Sequence, residues 1–180
     1  MFDTICKFLI ETFPSDFASW LIGEPVSLTE LSPSELSLEP IGADALMLWQ
    51  STEMVLHVEF QSRPDPNMPF RMADYRLRTY RRFPHKLMKQ VVVYLKETVS
   101  EDVFRTTFEI SGLRHEFEVI RLWEQPVDVF LSEPGLLPFA ALGQTSDRAA
   151  VLQQVARRIE AIPDRRTQQN ILASTGILAG

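Results

Sequence analysis

The order of elements along the chain predicts an α/β domain with a mixed sheet, and three observations carry that prediction. A helical start is followed by three short apolar segments (36–41, 43–50 and 54–62), two of them alternating and the third close behind. A basic, helix-periodic segment comes next. After it, Gln90-Val-Val-Val-Tyr-Leu95 is apolar almost throughout. A continuous apolar run suits a strand covered on both faces, and alternation suits strands with one face on a core. Strands interleaved with helices define the α/β class.

In chain order, Asp3 is placed to cap a helix to about Phe13, with Ile5, Phe8, Leu9 and Phe13 as its apolar stripe. Pro14 ends it, and Ser15 or Asp16 is expected to cap a second short helix through Phe17, Trp20 and Leu21. Residues 36–41 alternate as a strand, and 43–50 and 54–62 form a hairpin. Pro64, Pro66 and Pro69 mark an irregular link into a helix over 70–83, which Pro84 ends. Strands are expected at 90–95, 103–110 and 116–123, and helices at 147–162 and 165–178. The chain thus divides into a domain over 1–143 and a C-terminal helical segment over 144–180. Its apolar end, Thr-Gly-Ile-Leu-Ala-Gly180, predicts a docking helix or a chain that continues.

The 180 residues are 45% hydrophobic and 23% charged, enough for a core and too apolar for disorder. No apolar run nears the roughly 20 residues of a membrane span, and the start lacks a secretory pattern, so a cytoplasmic protein is expected. Cys6 is the sole cysteine, which excludes an intrachain disulfide and a cysteine-based zinc site. His57, His85 and His115 are scattered and no Gly-x-Ser-x-Gly elbow occurs, which argues against Ser/His or Cys/His hydrolysis.

The hairpin holds the chemistry. With Ser51-Thr52 as a two-residue loop, Asp44 falls directly opposite Glu59, with Cβ atoms about 4.5–5.5 Å apart. Two like charges that close repel unless a cation lies between them, and hard carboxylate oxygens suit Mg²⁺ or Mn²⁺. Gln61 lies on the same face. A half-exposed strand shows the same alternation, and a one-residue slip would set Asp44 against Phe60.

Net charge is −6, yet residues 71–89 hold seven Lys/Arg and one acid. On a helix, Arg71, Tyr75, Arg78 and Arg82 share a face able to pair with phosphates and stack on a base. Ala73, Leu77 and Tyr80 form a second face suited to packing on the sheet. A solvated basic face is the plainer alternative.

The succession Ala-Asp44-Ala-Leu, Leu56-His-Val-Glu59-Phe-Gln61-Ser-Arg-Pro-Asp-Pro and Pro69-Phe-Arg-Met-Ala-Asp-Tyr75-Arg resembles the Rpn family of recombination-promoting nucleases and transposase-like proteins, within the PD-(D/E)xK superfamily. The likeness runs from the first helix through the Arg-Arg-Thr-Gln-Gln tail. It implies a restriction-endonuclease-like core with a mixed sheet flanked by helices. It also implies that Asp44 and Glu59 bind Mg²⁺ and that Gln61 stands where lysine is commoner. Glutamine can orient a water but brings no charge; Arg71 or Arg78 could compensate. An extra acid from the first helix, Asp3 or Glu11, sometimes completes such sites. The implied activity is metal-dependent hydrolysis of DNA, by a homodimer where both strands are cut. The alternative is a catalytically decayed nuclease-fold module that binds nucleic acid or protein.

Overall fold

The structure is a computed structural model, and it describes residues 2–32 and 46–180, apart from the side chains of Asp3 and Leu46. In chain order the elements are helices α1 (Phe2–Thr12) and α2 (Pro14–Ile22), strands β1 (Thr29–Glu30), β2 (Leu46–Gln50) and β3 (Met54–Gln61), helix α3 (Met68–Arg82), and strands β4 (Leu87–Tyr94), β5 (Thr107–Ile110), β6 (Leu113–Glu116) and β7 (Glu118–Arg121). Helices α4 (Asp128–Leu131), α5 (Arg148–Glu160) and α6 (Arg165–Ala179) follow, with a 3-10 segment, Pro134–Leu142, between α4 and α5. The strand expected at 36–41 lies outside the described residues.

Two compact units result: residues 27–120, and residues 1–26 with 121–180. The first holds the sheet, in the order β1-β2-β3-β4-β7. β2 and β3 are antiparallel, whereas β3 and β4 are parallel and joined through α3. The sheet is therefore mixed and the class α/β, as the element order predicts. β3 reads Met-Val-Leu-His-Val-Glu-Phe-Gln and is buried over its six central residues, so both of its faces are covered. β5 and β6 form a separate hairpin.

Two local expectations are corrected here. Residues 103–110 begin as a 3-10 turn, Glu101–Phe104, capped by the Ser100 hydroxyl on the Asp102 N–H, and only Thr107–Ile110 is strand. Of the stretch 116–123, Glu116 ends β6, Glu118–Arg121 is β7 and Leu122 and Trp123 belong to a 3-10 turn, while Phe117 interrupts the strands by pairing its N–H with the Thr106 carbonyl.

In the second unit, α1, α2, α4, α5 and α6 pack around Pro134–Leu142, whose interior residues are nearly all buried. Phe17, Trp20, Phe130 and Phe139 meet there with ring centroids 5.3–6.4 Å apart. Residues 144–180 form α5 and α6, capped by Asp147 on the Ala150 N–H and by Asp164 on the Thr167 N–H. Asp16 has a different task from the capping expected of it. Pro14 itself opens α2, and the Asp16 carboxylate accepts from the Gly135 N–H at 2.8 Å. A Cβ at Gly135 would collide with the Phe13 side chain, which explains a glycine at this crossing. Among the described residues no helix is long and apolar enough to cross a membrane.

Candidate active site on the third strand

The β2–β3 register differs from the expected one. Leu46 opposes Glu59, Met47 opposes Val58 and Gln50 opposes Val55, because the two-residue loop is Thr52-Glu53 and not Ser51-Thr52. Ser51 closes it, its N–H bonding the Met54 carbonyl at 2.9 Å and its hydroxyl accepting from the Glu53 and Met54 N–H groups. The shift is two residues, so each side chain keeps its face while its cross-strand partner changes. Asp44, the expected partner of Glu59, lies outside the described residues.

Glu59 is fully buried in the second half of β3, on the side covered by α3. Its Oε2 accepts from Arg71 Nη2 at 2.6 Å and from Gln61 Nε2 at 3.1 Å. The other arm of Arg71, Nη1, donates to Asp65 Oδ2 at 3.0 Å. Asp65 is fixed by its Oδ1, which accepts from the Asn67 N–H at 2.9 Å just ahead of α3. One guanidinium thus spans two carboxylates, its side chain 28% exposed and that of Asp65 27%. Arg71 is the door between buried Glu59 and solvent.

Behind Glu59 lies a second polar layer. Glu59 Oε1 and His57 Nε2 stand 3.4 Å apart, each buried and, among the described residues, neither in a hydrogen bond. His57 is paired in register with Gln90 on β4, and the His57 Nδ1 to Gln90 Nε2 distance is 2.9 Å. The His57 ring meets Tyr75 edge-on, with centroids 5.1 Å apart. Tyr94, in register with Gln61, completes the wall. Burial, then the charges of Asp65, Asp102 and Glu59, push the Tyr94 phenol up to about 12. Burial, with Glu59 next in weight, does the same to Tyr75, again to about 12. Both phenols are therefore neutral hydrogen-bonding groups around neutral pH.

The basic face of α3 is only partly as expected. Tyr75 is 3% exposed and closed to a nucleobase. The stripe that packs on the sheet is Met68, Met72, Tyr75 and Thr79, while Leu77 and Tyr80, expected there, are 53% and 58% exposed. Both stripes have helical spacing, 4 and 3 for Ala73, Leu77 and Tyr80 and 4, 3 and 4 for Met68, Met72, Tyr75 and Thr79, so period alone does not choose between them. Arg78 donates to Asp74 Oδ2 at 3.0 Å, and Arg82 is exposed with its guanidinium over the Phe83 ring at 5.4 Å. Glu11 belongs to the helical unit, on α1, where it pairs with Lys7 at 3.5 Å. The Asp3 side chain is not among those described.

Asp65 and Gln90 were not foreseen. Asp65 had a readable signal, since Pro-Asp-Pro-Asn before a helix places a carboxylate at the helix entrance. Gln90 had none, because one amide in an apolar strand has no partner until β3 is set beside β4. A cavity of about 470 Å³ lies elsewhere in the sheet unit, lined by Arg76, Gln90, His115 and Phe117 among others, and contains neither Glu59 nor Gln61.

Glu59 and Gln61 offer hard oxygen donors of the kind Mg²⁺ or Mn²⁺ prefers, and Glu59 Oε1 is a buried acceptor without a hydrogen bond among the described residues. In donor chemistry the described part of the site therefore fits such an ion, with Arg71 as the present counter-charge. No group of three or more His, Cys, Asp or Glu gathers as a metal cluster among the described residues. Comparison of the chain with family models, with curated proteins and with solved structures finds no match.

Proposed function

We propose that the chain is a metal-dependent endonuclease that hydrolyses DNA phosphodiester bonds at the end of β3. The observation that carries this reading is a fully buried carboxylate, Glu59, joined at one oxygen by Gln61 and Arg71. Its place supports the reading too, since open α/β sheets bind ligands beyond the carboxyl ends of their strands, and Glu59 and Gln61 stand at that end of β3. The motif resemblance supplies the reaction class.

Glu59 and Asp44 would hold the ion. Bound Mg²⁺ would supply an acidified water and offset charge on the phosphate. Gln61 spends its amide N–H on Glu59, which leaves its carbonyl oxygen to accept from a water. Arg71 meets the same Glu59 oxygen as Gln61, and it stands in for the charge a lysine at 61 would bring. Turning from Glu59 towards a phosphate, it would exchange one carboxylate for another anion. Arg81 and Arg82, exposed at the end of α3, are available for backbone phosphates further along a strand. Two copies of the chain would be needed to cut both strands.

One observation favours the decayed binding module. The 2.6 Å bond from Arg71 already gives Glu59 a cationic partner at the oxygen an ion would need. Supercoiled plasmid incubated with Mg²⁺ or Mn²⁺ separates the two. Nicked or linear product from wild type and none from Glu59→Ala is the result expected of a nuclease. Intact plasmid with both proteins would leave the binding module.

A further inference from the structure

Gln90 is 5% exposed, and its Nε2 lies 2.8 Å from the Met72 carbonyl and 2.9 Å from His57 Nδ1. A main-chain carbonyl only accepts, so the atom facing it is the amide nitrogen and not the amide oxygen. That nitrogen is a donor, so His57 Nδ1 must accept and carries no proton. The ring proton is then on Nε2, the atom 3.4 Å from Glu59 Oε1. Each step leaves a single choice.

We propose that Gln90 and His57 are positioning residues: the α3 carbonyl of Met72 orients the Gln90 amide, the amide sets the His57 tautomer, and the His57 Nε2–H faces Glu59 Oε1 so that Oε2 is turned to Gln61 and Arg71. The polarity of this wall is otherwise unexplained, since apolar residues at 57 and 90 would suit a strand pair buried on both faces. Only the consequence for cation binding rests on the nuclease reading; the tautomer does not. Partners that orient a ligating side chain commonly change metal affinity about 10–100-fold when removed.

The test is long-range ¹H–¹⁵N NMR of the imidazoles at one fixed neutral pH, with His57 identified by its loss in His57→Asn, alongside Mn²⁺ titration. Wild-type His57 is expected to show a protonated Nε2 and a bare Nδ1. Gln90→Leu should populate both tautomers and weaken Mn²⁺ binding by about 10-fold. Gln90→Glu presents an acceptor and should move the proton to Nδ1. A wild-type His57 protonated at Nδ1 would overturn the proposal, as would an unaltered tautomer and unaltered Mn²⁺ affinity in Gln90→Leu. Should both variants fail to fold, the wild-type spectrum alone decides. A wild type with the expected tautomer that binds no Mn²⁺ supports the relay and removes the nuclease reading.

Discussion

At one end of β3, Val55 meets Leu31, Leu48 and Tyr75 in an apolar cluster edged by Phe83 and Met88. A few residues along the same face of the same strand stand His57, Glu59 and Gln61. One helix, α3, covers both ends, with Tyr75 at the junction, touching Val55's cluster and the His57 ring. The apolar end needs only shape, and nonpolar burial supplies its stability. The polar end needs a partner for every buried group, and a charged one for Glu59. Fold and chemistry are therefore separable by substitution, although barely one helix turn divides them.

The largest effect should come from Glu59→Gln, which keeps the volume and removes the charge. Plasmid cleavage should fall to background while far-UV circular dichroism stays that of wild type; retained cleavage would take the chemistry away from β3. Leu48→Ala, at the apolar end and 1% exposed, should cost about 3 kcal/mol in urea unfolding. It should leave cleavage intact wherever the protein is folded, and a selective loss of cleavage would show that the two ends are coupled.

Arg71→Ala exposes the comparison differently, because it leaves Glu59 buried without its cation. The expected loss is about 2 kcal/mol, below that of a wholly buried pair since the Arg71 side chain is 28% exposed. Unfolding in urea at neutral pH measures it, and an unchanged midpoint would mean that water compensates Glu59 in place of Arg71.

Tyr75 and Tyr94 give a pH test spanning both ends. Burial, first, and neighbouring carboxylates hold each phenol up to about 12, above its ordinary value of 10.0. Between those values the unfolded chain releases protons that the folded one retains. The stabilisation is thus complete below pH 10 and declines as pH rises towards 12. Urea unfolding across that window should show the decline, and Tyr75→Phe should lessen it; flat stability would contradict the burial of both rings. The smallest effect concerns DNA. Arg82→Ala should reduce the slope of log affinity against log salt by about 1, the value of one phosphate contact, and an unchanged slope would return Arg82 to a solvated face.

How much of this was legible follows from the same comparison. The period-2 pattern of β3 and the apolar run of β4 could be read directly, because the α/β class depends only on hydrophobic pattern. Glu59, Gln61 and Arg71, each a polar residue in conspicuous company, could also be singled out, and their side chains do meet at one Glu59 oxygen. The antiparallel pairing of β2 with β3 could be read but its register could not, since a two-residue shift leaves every side chain on its face and the bonds Ser51 makes decide between loops. On α3, two stripes had helical spacing, and Tyr75 was assigned to the exposed one. Its place beside Val55 depends on which methionines pack on the sheet, a matter of volume and not of period. The link from Gln90 to His57 is long-range, 33 residues apart, and arises only from the parallel pairing of β3 and β4.

The most direct test of the division between the ends is Mn²⁺ titration, by calorimetry, of wild type, Leu48→Ala and Glu59→Gln under identical conditions. Binding by wild type and Leu48→Ala, with none by Glu59→Gln, is the predicted result. Equal binding by all three, or none by wild type, would contradict it.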